Sequence, residues 1–441
     1  SSNPPDYELN YGTVPGLLLG ESRVFSPFDP SSRMMYRNRC VRMSADGSRP
    51  PTPTYARTGS TAFYSQHDIN SIYRVYGKAL GKDEDGEQFG HATAVLDLDD
   101  DGFEDIVVAA NDGTPDGGRE LNLYFYRGVA TDPSEGGSGR KYAPWFVHTV
   151  ASGFDDDTTT REYRLALATG DFDGNGRISL AVGYPVNENE RRVKIYAQAV
   201  GTAFTSGSGS EPWGVRGLSE LQEIAPADVA PDLLNPHRFA VTLATGRLTD
   251  RRRDDLLVGW PGGKGLLVAF NQPGAVIHLR GVQTSATVSA PLEVGTHAVI
   301  LNPERPVFSV PGQPSPPASD PEFGRAIAVI KEESSAGLAL RPAFGTIAVG
   351  APGADNTSGR VYIFGSSRDT SGMPVIPELL TTISGPEGSR FGHALETVHV
   401  PDTNPRISPF SIVIGAPSQA GTIDGTTGPV GAVYIYRINY G

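Results

Sequence analysis

The sequence predicts an all-β fold, a β-propeller in which each internal repeat forms one four-stranded blade. Short apolar runs of the β type recur along the chain and alternate with turn-forming segments. Glycine (53) and proline (36) together supply about a fifth of the 441 residues, above the ~12% usual in proteins. Similar segments begin at intervals of 74, 76, 84 and 68 residues. A period longer than that of common solenoids, built only from β-type runs, is typical of propeller blades.

Each repeat follows one plan: an aromatic opening, a short apolar run, a loop and a second apolar run. The openings stand at Phe89, Tyr163, Phe239, Phe323 and Phe391. In the first repeat, the runs AVLDL and DIVVAA flank the loop and have the character of two strands of a hairpin. The last two repeats contain IAVGAP and IVIGAP and close with GRVYIF and GAVYIY. We therefore expect five recognisable blades in residues 81–441.

The loop of the first repeat predicts a calcium site. Its side-chain ligands would be the carboxylates of Asp97, Asp99, Asp101 and Asp105. Alternating carboxylates on a tight loop can converge on one hard cation, and Gly102 allows the sharp turn beneath it. The backbone carbonyl of Phe103 would add an oxygen. An EF-hand needs glutamate at position 12, where this loop has Val108 within a β-type run, so the loop joins two strands. The alternative is a solvated acidic turn.

The second repeat carries a version of this loop with fewer charges. Its candidate ligands are the side chains of Asp171, Asp173, Asn175 and Ser179 and the backbone carbonyl of Arg177. Two carboxylates take the place of four, and fewer charged ligands mean weaker calcium binding. The sequence therefore predicts two calcium sites of unequal affinity, both with a structural and not a catalytic role.

The third repeat lacks the acidic ligands. Its metal positions hold Arg247, Thr249 and Arg251, and only Asp255 remains as a carboxylate. Like-charge repulsion between a dication and the guanidinium groups opposes cation binding here. We expect an ion-free hairpin in which an arginine, with Arg251 as the first choice, lies near Asp255.

The motifs together resemble a known family. The FG opening, the DxDxDGxxD loop and the GAP…GxVYIY close are similar to the FG-GAP repeats of integrin α-subunit propellers. Related repeats occur in glycosylphosphatidylinositol-specific phospholipase D and in assorted secreted proteins. The resemblance covers about residues 80–441 and departs from the family in the basic third loop. It implies a propeller of seven blades and places the GAP loops on the face opposite the calcium loops, which is the ligand-binding face of integrins.

Residues 1–80 contain no clear repeat. GLLLGESRVF and MMYRNRCVRMSA have the character of strands, and SRPPTPTY reads as a proline-rich connector. We interpret this region as a degenerate blade that also supplies a ring-closing strand, because closure removes exposed sheet edges. The whole chain, 1–441, is then a single domain. Five clear repeats and one obscure blade leave six blades as the alternative to seven.

The position that follows the second-run glycine in four repeats, and Ala109 in the first, holds two aromatic residues among alanines. Across the five repeats it is occupied by Ala110, Tyr184, Trp260, Ala351 and Ala416. Amphipathic aromatics at a wet rim suit sugar rings or the side chains of a partner. Tyr184 and Trp260 are therefore candidate ligand-binding residues. The alternative is that both pack over the mouth of the central channel.

Composition excludes several classes of protein. A net charge of −13 argues against a general nucleic-acid binder, which would present a basic surface. No run of eighteen apolar residues is present, so we expect no membrane span. The one cysteine, Cys40, cannot form an internal disulfide. Millimolar calcium outside cells suits loops of this kind, which favours an extracellular protein, secreted or at the cell surface.

Function follows less directly than fold. We expect a monomeric recognition or adhesion module that binds a protein or a glycan. The alternatives are a polysaccharide-active enzyme of the lyase type on a propeller scaffold and a structural assembly component. His91 and His393 occupy the same position after two openings, so a structural role is favoured over catalysis. The sequence contains no GxSxG, HExxH or CxxC motif.

Overall fold

The computed structural model describes fifteen segments of the chain. They are residues 89–113, 118–130, 140–155, 164–187, 190–198, 218–229, 238–250, 252–261, 274–284, 290–303, 321–330, 345–368, 374–399, 407–423 and 426–439. All of them lie in the unit Glu84–Gly441. The predictions for residues 1–80, with Cys40, and for Arg251 lie outside the described residues.

Each repeat forms one antiparallel sheet. Sheet 1 contains β1 (Ala92–Leu96), β2 (Asp105–Gly113), β3 (Gly118–Ala130) and β4 (Arg140–Asp155). Sheet 2 contains β5 (Ala166–Gly170), β6 (Ser179–Asn187), β7 (Glu190–Gln198) and β8 (Leu218–Ile224). Sheet 3 contains β9 (Thr242–Gly246), β10 (Asp255–Trp260), β11 (Ala275–Gly281) and β12 (Leu292–Leu301). Sheet 4 contains β13 (Ala326–Ile330), β14 (Thr346–Ala351), β15 (Arg360–Arg368) and β16 (Pro374–Ser384).

The last repeat differs from the others in its described part. Sheet 5 has three strands, β17 (Ala394–His399), β18 (Ile407–Ala416) and β21 (Ala432–Asn439). A separate hairpin of β19 (Ala420–Ile423) and β20 (Thr426–Pro429) lies between β18 and β21 in sequence. Two single turns of helix complete the described elements, α1 (Pro226–Val229) and α2 (Ala354–Thr357). The predictions of an all-β fold and of four-stranded sheets are therefore confirmed.

In sheets 2, 3 and 4, the second strand is largely apolar on both faces because both faces are covered. β10 and β14 are buried along their whole length, and β6 is buried over seven of its nine residues. A strand buried on both sides has no need for alternating polar residues. This explains why LLVGW and IAVGA read as continuous apolar runs in the sequence.

The sheets stack face to face in chain order. Their first strands, β1, β5, β9, β13 and β17, contact one another in series. An apolar cluster fills each space between consecutive sheets. The opening aromatics Phe239, Phe323 and Phe391 are fully buried in these clusters. Phe391, for example, meets Tyr434 edge to face at a centroid distance of 5.3 Å. Burying one such ring stabilises the fold by roughly 1.5–3 kcal/mol.

The opening and the second-strand glycine of neighbouring repeats form one inter-sheet contact. A Cβ atom on Gly259 would lie 2.3 Å from the backbone oxygen of Gly324 in the next sheet. On Gly350, it would lie 2.1 Å from the backbone oxygen of Gly392. Both distances are far below an ordinary carbon–oxygen contact. The two sequence motifs recur together because each provides one side of this close approach.

One face of sheet 5 carries exposed apolar side chains. Val433 and Ile435 on β21 are 69% and 66% exposed, and Val398 on β17 is 41% exposed. The opposite face of the same sheet is covered, since Ile412 and Ile414 are buried in the cluster with sheet 4. Within the described part of the chain, sheet 5 thus ends the stack with one face uncovered.

Candidate metal centre

The first acidic loop is the hairpin connection between β1 and β2. Asp97 organises it: its Oδ1 accepts the N–H of Asp101 at 3.1 Å and its Oδ2 accepts the N–H of Gly102 at 2.9 Å. Gly102 has φ +84°, a left-handed conformation that glycine adopts without strain. The turn therefore depends on both the first carboxylate and the glycine of the motif.

Asp105 joins this hairpin to the third strand. Its side chain is fully buried. Oδ2 accepts the N–H of Leu98 at 2.9 Å, and Oδ1 accepts the N–H of Gly128 in β3 at 2.8 Å. Burial raises the pKa of Asp105 to about 6, the two N–H donors oppose this shift, and the charges of Asp99 and Asp101 add to it. Loss of hydration therefore destabilises the ionised form of Asp105, and a bound cation would stabilise it.

Three carboxylates of the loop converge. Asp97, Asp99 and Asp105 each offer one oxygen, and these oxygens lie within 4.8 Å of one another. The side chain of Asp99 is only 9% exposed. Its Oδ1 is buried and has no hydrogen-bond partner among the described residues. A buried carboxylate oxygen without a hydrogen-bond donor destabilises the folded state, and a bound cation would offset this cost. Burial is also the main reason that the pKa of Asp99 is raised.

Asp101 is turned to other partners. Its Oδ1 accepts the N–H of Phe103 at 2.9 Å, and its Oδ2 lies 2.8 Å from Nη2 of Arg127. The same nitrogen of Arg127 lies 2.6 Å from Oδ2 of Asp99. Sequence reasoning missed Arg127, which lies on β3. The strand register, in which Ile106 pairs with Tyr126, places it beside the loop.

The second loop has the same turn as the first. Asp171 accepts the N–H groups of Asn175 at 3.1 Å and Gly176 at 3.0 Å. Asn175 Oδ1 accepts the N–H of Arg177 at 2.7 Å, as Asp101 accepts that of Phe103. Asp173 differs from Asp99 because its Oδ2 accepts protons from Nδ2 of Asn175 and from Oγ1 of Thr284, both at 2.8 Å. Ser179, at the start of β6, is buried.

The third loop keeps the buried aspartate without the acidic cluster. Asp255 Oδ1 accepts the N–H of Gly281 and the hydroxyl proton of Thr249, both at 2.9 Å. Its Oδ2 lies 3.2 Å from Nε2 of His278. Asp255 therefore ties this hairpin to β11 as Asp105 ties the first hairpin to β3. Arg247 lies 3.8 Å from a different carboxylate, that of Asp254. Thr249 and His278 are partners that sequence reasoning did not assign to Asp255.

The two candidate ligand-binding aromatics lie in apolar clusters between sheets. Trp260 is 3% exposed and meets Phe239 edge to face at 5.2 Å. Tyr184 is 5% exposed, and its hydroxyl donates to Oε1 of Glu223. Burial, and next the bond to Glu223, raise the pKa of Tyr184. Both side chains are therefore buried in the packed interior between the described sheets.

The histidine of the first opening also has a structural contact. Nε2 of His91 accepts the N–H of Leu165 at 2.9 Å, which links sheet 1 to sheet 2. In sheet 5, burial and then the charges of Arg325 and Arg390 lower the pKa of His393. Both observations fit the structural role expected from the repeated position.

Comparisons with known proteins place no further constraint on this site. A scan against protein-family models and a search of curated proteins each found no match to this chain. Among the described residues, no helix has the length and hydrophobicity required to cross a membrane.

Proposed function

We propose that this protein is a calcium-stabilised β-propeller of the FG-GAP type and that it acts outside the cell as a recognition or adhesion module for a protein or glycan. The observation that carries the calcium assignment is the convergence of Asp97, Asp99 and Asp105 around the buried, unpartnered Oδ1 of Asp99. Oxygen ligands from carboxylates and a backbone carbonyl are those of a hard cation. Calcium accepts such a set in a flexible loop, whereas magnesium requires near-ideal octahedral geometry.

The role of the ion in this proposal is structural. The loop connects β1 to β2, and Asp105 extends the connection to β3 through Gly128. A cation held by these carboxylates would offset their mutual repulsion and link three strands of sheet 1. Binding to the folded state alone stabilises it by about 2.7 kcal/mol at a hundredfold excess of calcium over the dissociation constant. The second loop has two carboxylates in place of four and would therefore bind calcium more weakly.

The propeller part of the proposal is supported by the way in which the sheets stack. Consecutive sheets contact each other through their first strands and share apolar clusters. The exposed face of sheet 5, with Val433 and Ile435, would need at least one further sheet against it in a closed ring. Seven blades remain the proposal and six the alternative.

A recognition role is what such a scaffold supports best. Rigid stacked sheets hold their connecting loops in fixed positions, and binding residues are concentrated on loops of this kind. The extracellular location is part of the proposal, because millimolar calcium outside cells suits oxygen-ligand loops of this kind. The ligand belongs to the protein or glycan class, and we propose a monomer that needs no partner subunit to complete the calcium loop.

Calorimetry and thermal melting test the calcium proposal. We expect calcium to bind in two classes of unequal affinity and to raise the melting temperature relative to EDTA, with magnesium much less effective. Asp99→Asn should remove the stronger class, because it replaces a carboxylate whose Oδ1 has no protein donor. Asp228→Asn is the control, since this carboxylate caps the turn α1 by accepting the N–H of Ala225. Equal calcium responses in wild type and Asp99→Asn would contradict the assignment.

Glycan and protein arrays test the recognition proposal separately. Binding that requires calcium and is reduced by EDTA would support it. Turnover of an acidic polysaccharide to unsaturated products, without stable binding, would instead support the enzyme alternative. A protein that binds calcium in calorimetry and neither binds nor cleaves any probe would leave the scaffold proposal standing and refute the recognition role.

A further inference from the structure

Arg127 reaches the first loop from a different strand. It follows Tyr126, the register partner of Ile106, so its Cα lies beside Asp105 at the start of β2. The guanidinium carbon lies 5.7 Å from the ring centroid of Trp145 on β4, within the range of a cation–π contact. The guanidinium therefore lies over Trp145 and reaches the acidic loop.

The contacts of this guanidinium are specific. Nη2 alone reaches both Oδ2 of Asp99 at 2.6 Å and Oδ2 of Asp101 at 2.8 Å. Nε is buried and has no hydrogen-bond partner among the described residues. Arginine frequently binds a carboxylate through two parallel hydrogen bonds from two nitrogens. Here a single nitrogen contacts both carboxylates, so the main contribution of the group is its positive charge. It places one positive charge among the four carboxylates of the loop.

The other sheets offer an internal comparison. In sheet 2, Leu180 pairs with Tyr196, so the residue equivalent to Arg127 is Ala197. The loop with four carboxylates thus has an arginine at this position, whereas the loop with two carboxylates has alanine. In sheet 3 the equivalent residue is Arg280, the register partner of Glu293. An arginine at this position therefore also accompanies the basic third loop, and the role of Arg127 depends on its contacts with Asp99 and Asp101.

We propose that Arg127 is an internal counter-cation of the first loop: it keeps the carboxylates of Asp99 and Asp101 together when no metal is bound and thereby limits the affinity for a divalent cation. The proposal rests on the calcium site described above. Even with the dielectric constant of bulk water, repulsion from a guanidinium about 5 Å away would weaken the binding of a dication about tenfold. The same charge reduces repulsion between the carboxylates in the absence of metal.

The test compares two arginines that each bridge two carboxylates. Arg127→Gln keeps a polar side chain and removes the charge. Arg192→Gln is the matched control, because Arg192 pairs with Glu190 at 2.7 Å and Glu223 at 3.0 Å, away from the loop, and the two side chains are similarly exposed, 40% and 32%. Calorimetry measures the calcium dissociation constant of each variant, and thermal melting in EDTA measures its stability without metal.

We expect Arg127→Gln to tighten the stronger calcium class about tenfold and to lower the melting temperature in EDTA by more than Arg192→Gln does. Arg192→Gln should leave the dissociation constant unchanged. An unchanged or weaker calcium affinity in Arg127→Gln overturns the inference while the calcium proposal stands. Equal shifts in the two variants overturn it as well, because the effect would then be general electrostatics. Absence of calcium binding in both wild type and Arg127→Gln refutes the calcium proposal itself.

Discussion

Replacement of Gly350 by alanine tests whether the repeated glycine exists for the contact between sheets. Gly350 lies on β14, and the Cβ of an alanine there would lie 2.1 Å from the backbone oxygen of Gly392 in sheet 5. Carbon and oxygen atoms in contact need more than 3 Å. Because the blocking atom belongs to the backbone, it cannot rotate away as a side chain could. Sheets 4 and 5 would therefore have to separate by about 1 Å at this point.

The cost follows from the apolar cluster that the two sheets share. Phe391, Ile412 and Ile414 are fully or almost fully buried in it. A gap of 0.5–1 Å removes roughly a quarter to a half of a contact's dispersion energy. Overpacking of a well-packed core costs about 1–3 kcal/mol, and the rigid obstacle places this substitution near 3 kcal/mol. At about 2.1 cal/mol/K per residue, that corresponds to a fall of about 4 °C in melting temperature for a unit of this size.

Gly415→Ala is the matched control for Gly350→Ala. Gly415 holds the same position in β18, as the pairings Ala326–Gly350 and Ala394–Gly415 establish. The nearest atom to its added Cβ is the Cβ of Ala394 at 3.3 Å, so the expected loss is below about 1 kcal/mol. Differential scanning fluorimetry and urea unfolding would measure both variants. A Gly350→Ala protein that melts within 1 °C of wild type, or a control that loses as much, would refute the stacking argument.

Three further predictions concern single side chains. Asn175→Asp adds a third carboxylate to the second loop, so calorimetry should detect a higher calcium affinity in the weaker class; an unchanged affinity would contradict the assignment of this loop. The folded-state pKa of His393 is depressed, so its stabilising effect is present above its unfolded pKa of about 6.5 and is lost as the pH falls through the folded value. The melting temperature of His393→Gln should therefore fall less than that of wild type between pH 7.5 and 5.5. Identical pH profiles would exclude His393 as a source of the pH dependence. Thr249→Val removes a hydroxyl that donates to the buried carboxylate of Asp255 and should cost about 1.5–3 kcal/mol in urea unfolding; the loss should be equal in calcium and in EDTA, and a calcium-dependent loss would imply a cation in the third loop.

Local features of the protein could be predicted from the sequence. The hairpin around Asp97 and Gly102 follows from a motif whose members lie within nine residues, so short-range hydrogen bonds determine its turn. The matching turn at Asp171 arises in the same way. The recurrence of openings and apolar runs also indicated one sheet per repeat, because strand periodicity and turn residues act over short stretches of chain.

Contacts between distant residues required the tertiary structure. Arg127 lies 26 residues from Asp101, and its place at the loop depends on the register of β2 with β3. His278 reaches Asp255 through the register of β10 with β11 in the same way. A sequence motif identifies only residues within the loop itself, so neither Arg127 nor His278 could be found before the strand register was known.

The burial of Tyr184 and Trp260 was likewise decided by packing. The sequence identified their position in the repeat but left open whether they lie at a ligand-binding rim or pack over the mouth of the central channel. Each contact is made within one repeat: Trp260 on β10 meets Phe239 of the opening before β9, and the hydroxyl of Tyr184 on β6 donates to Glu223 on β8. Local periodicity thus determined the strands and the acidic turns, whereas the strand register and the face-to-face stacking of sheets determined which charges and rings meet, because these contacts join residues that are remote in the chain.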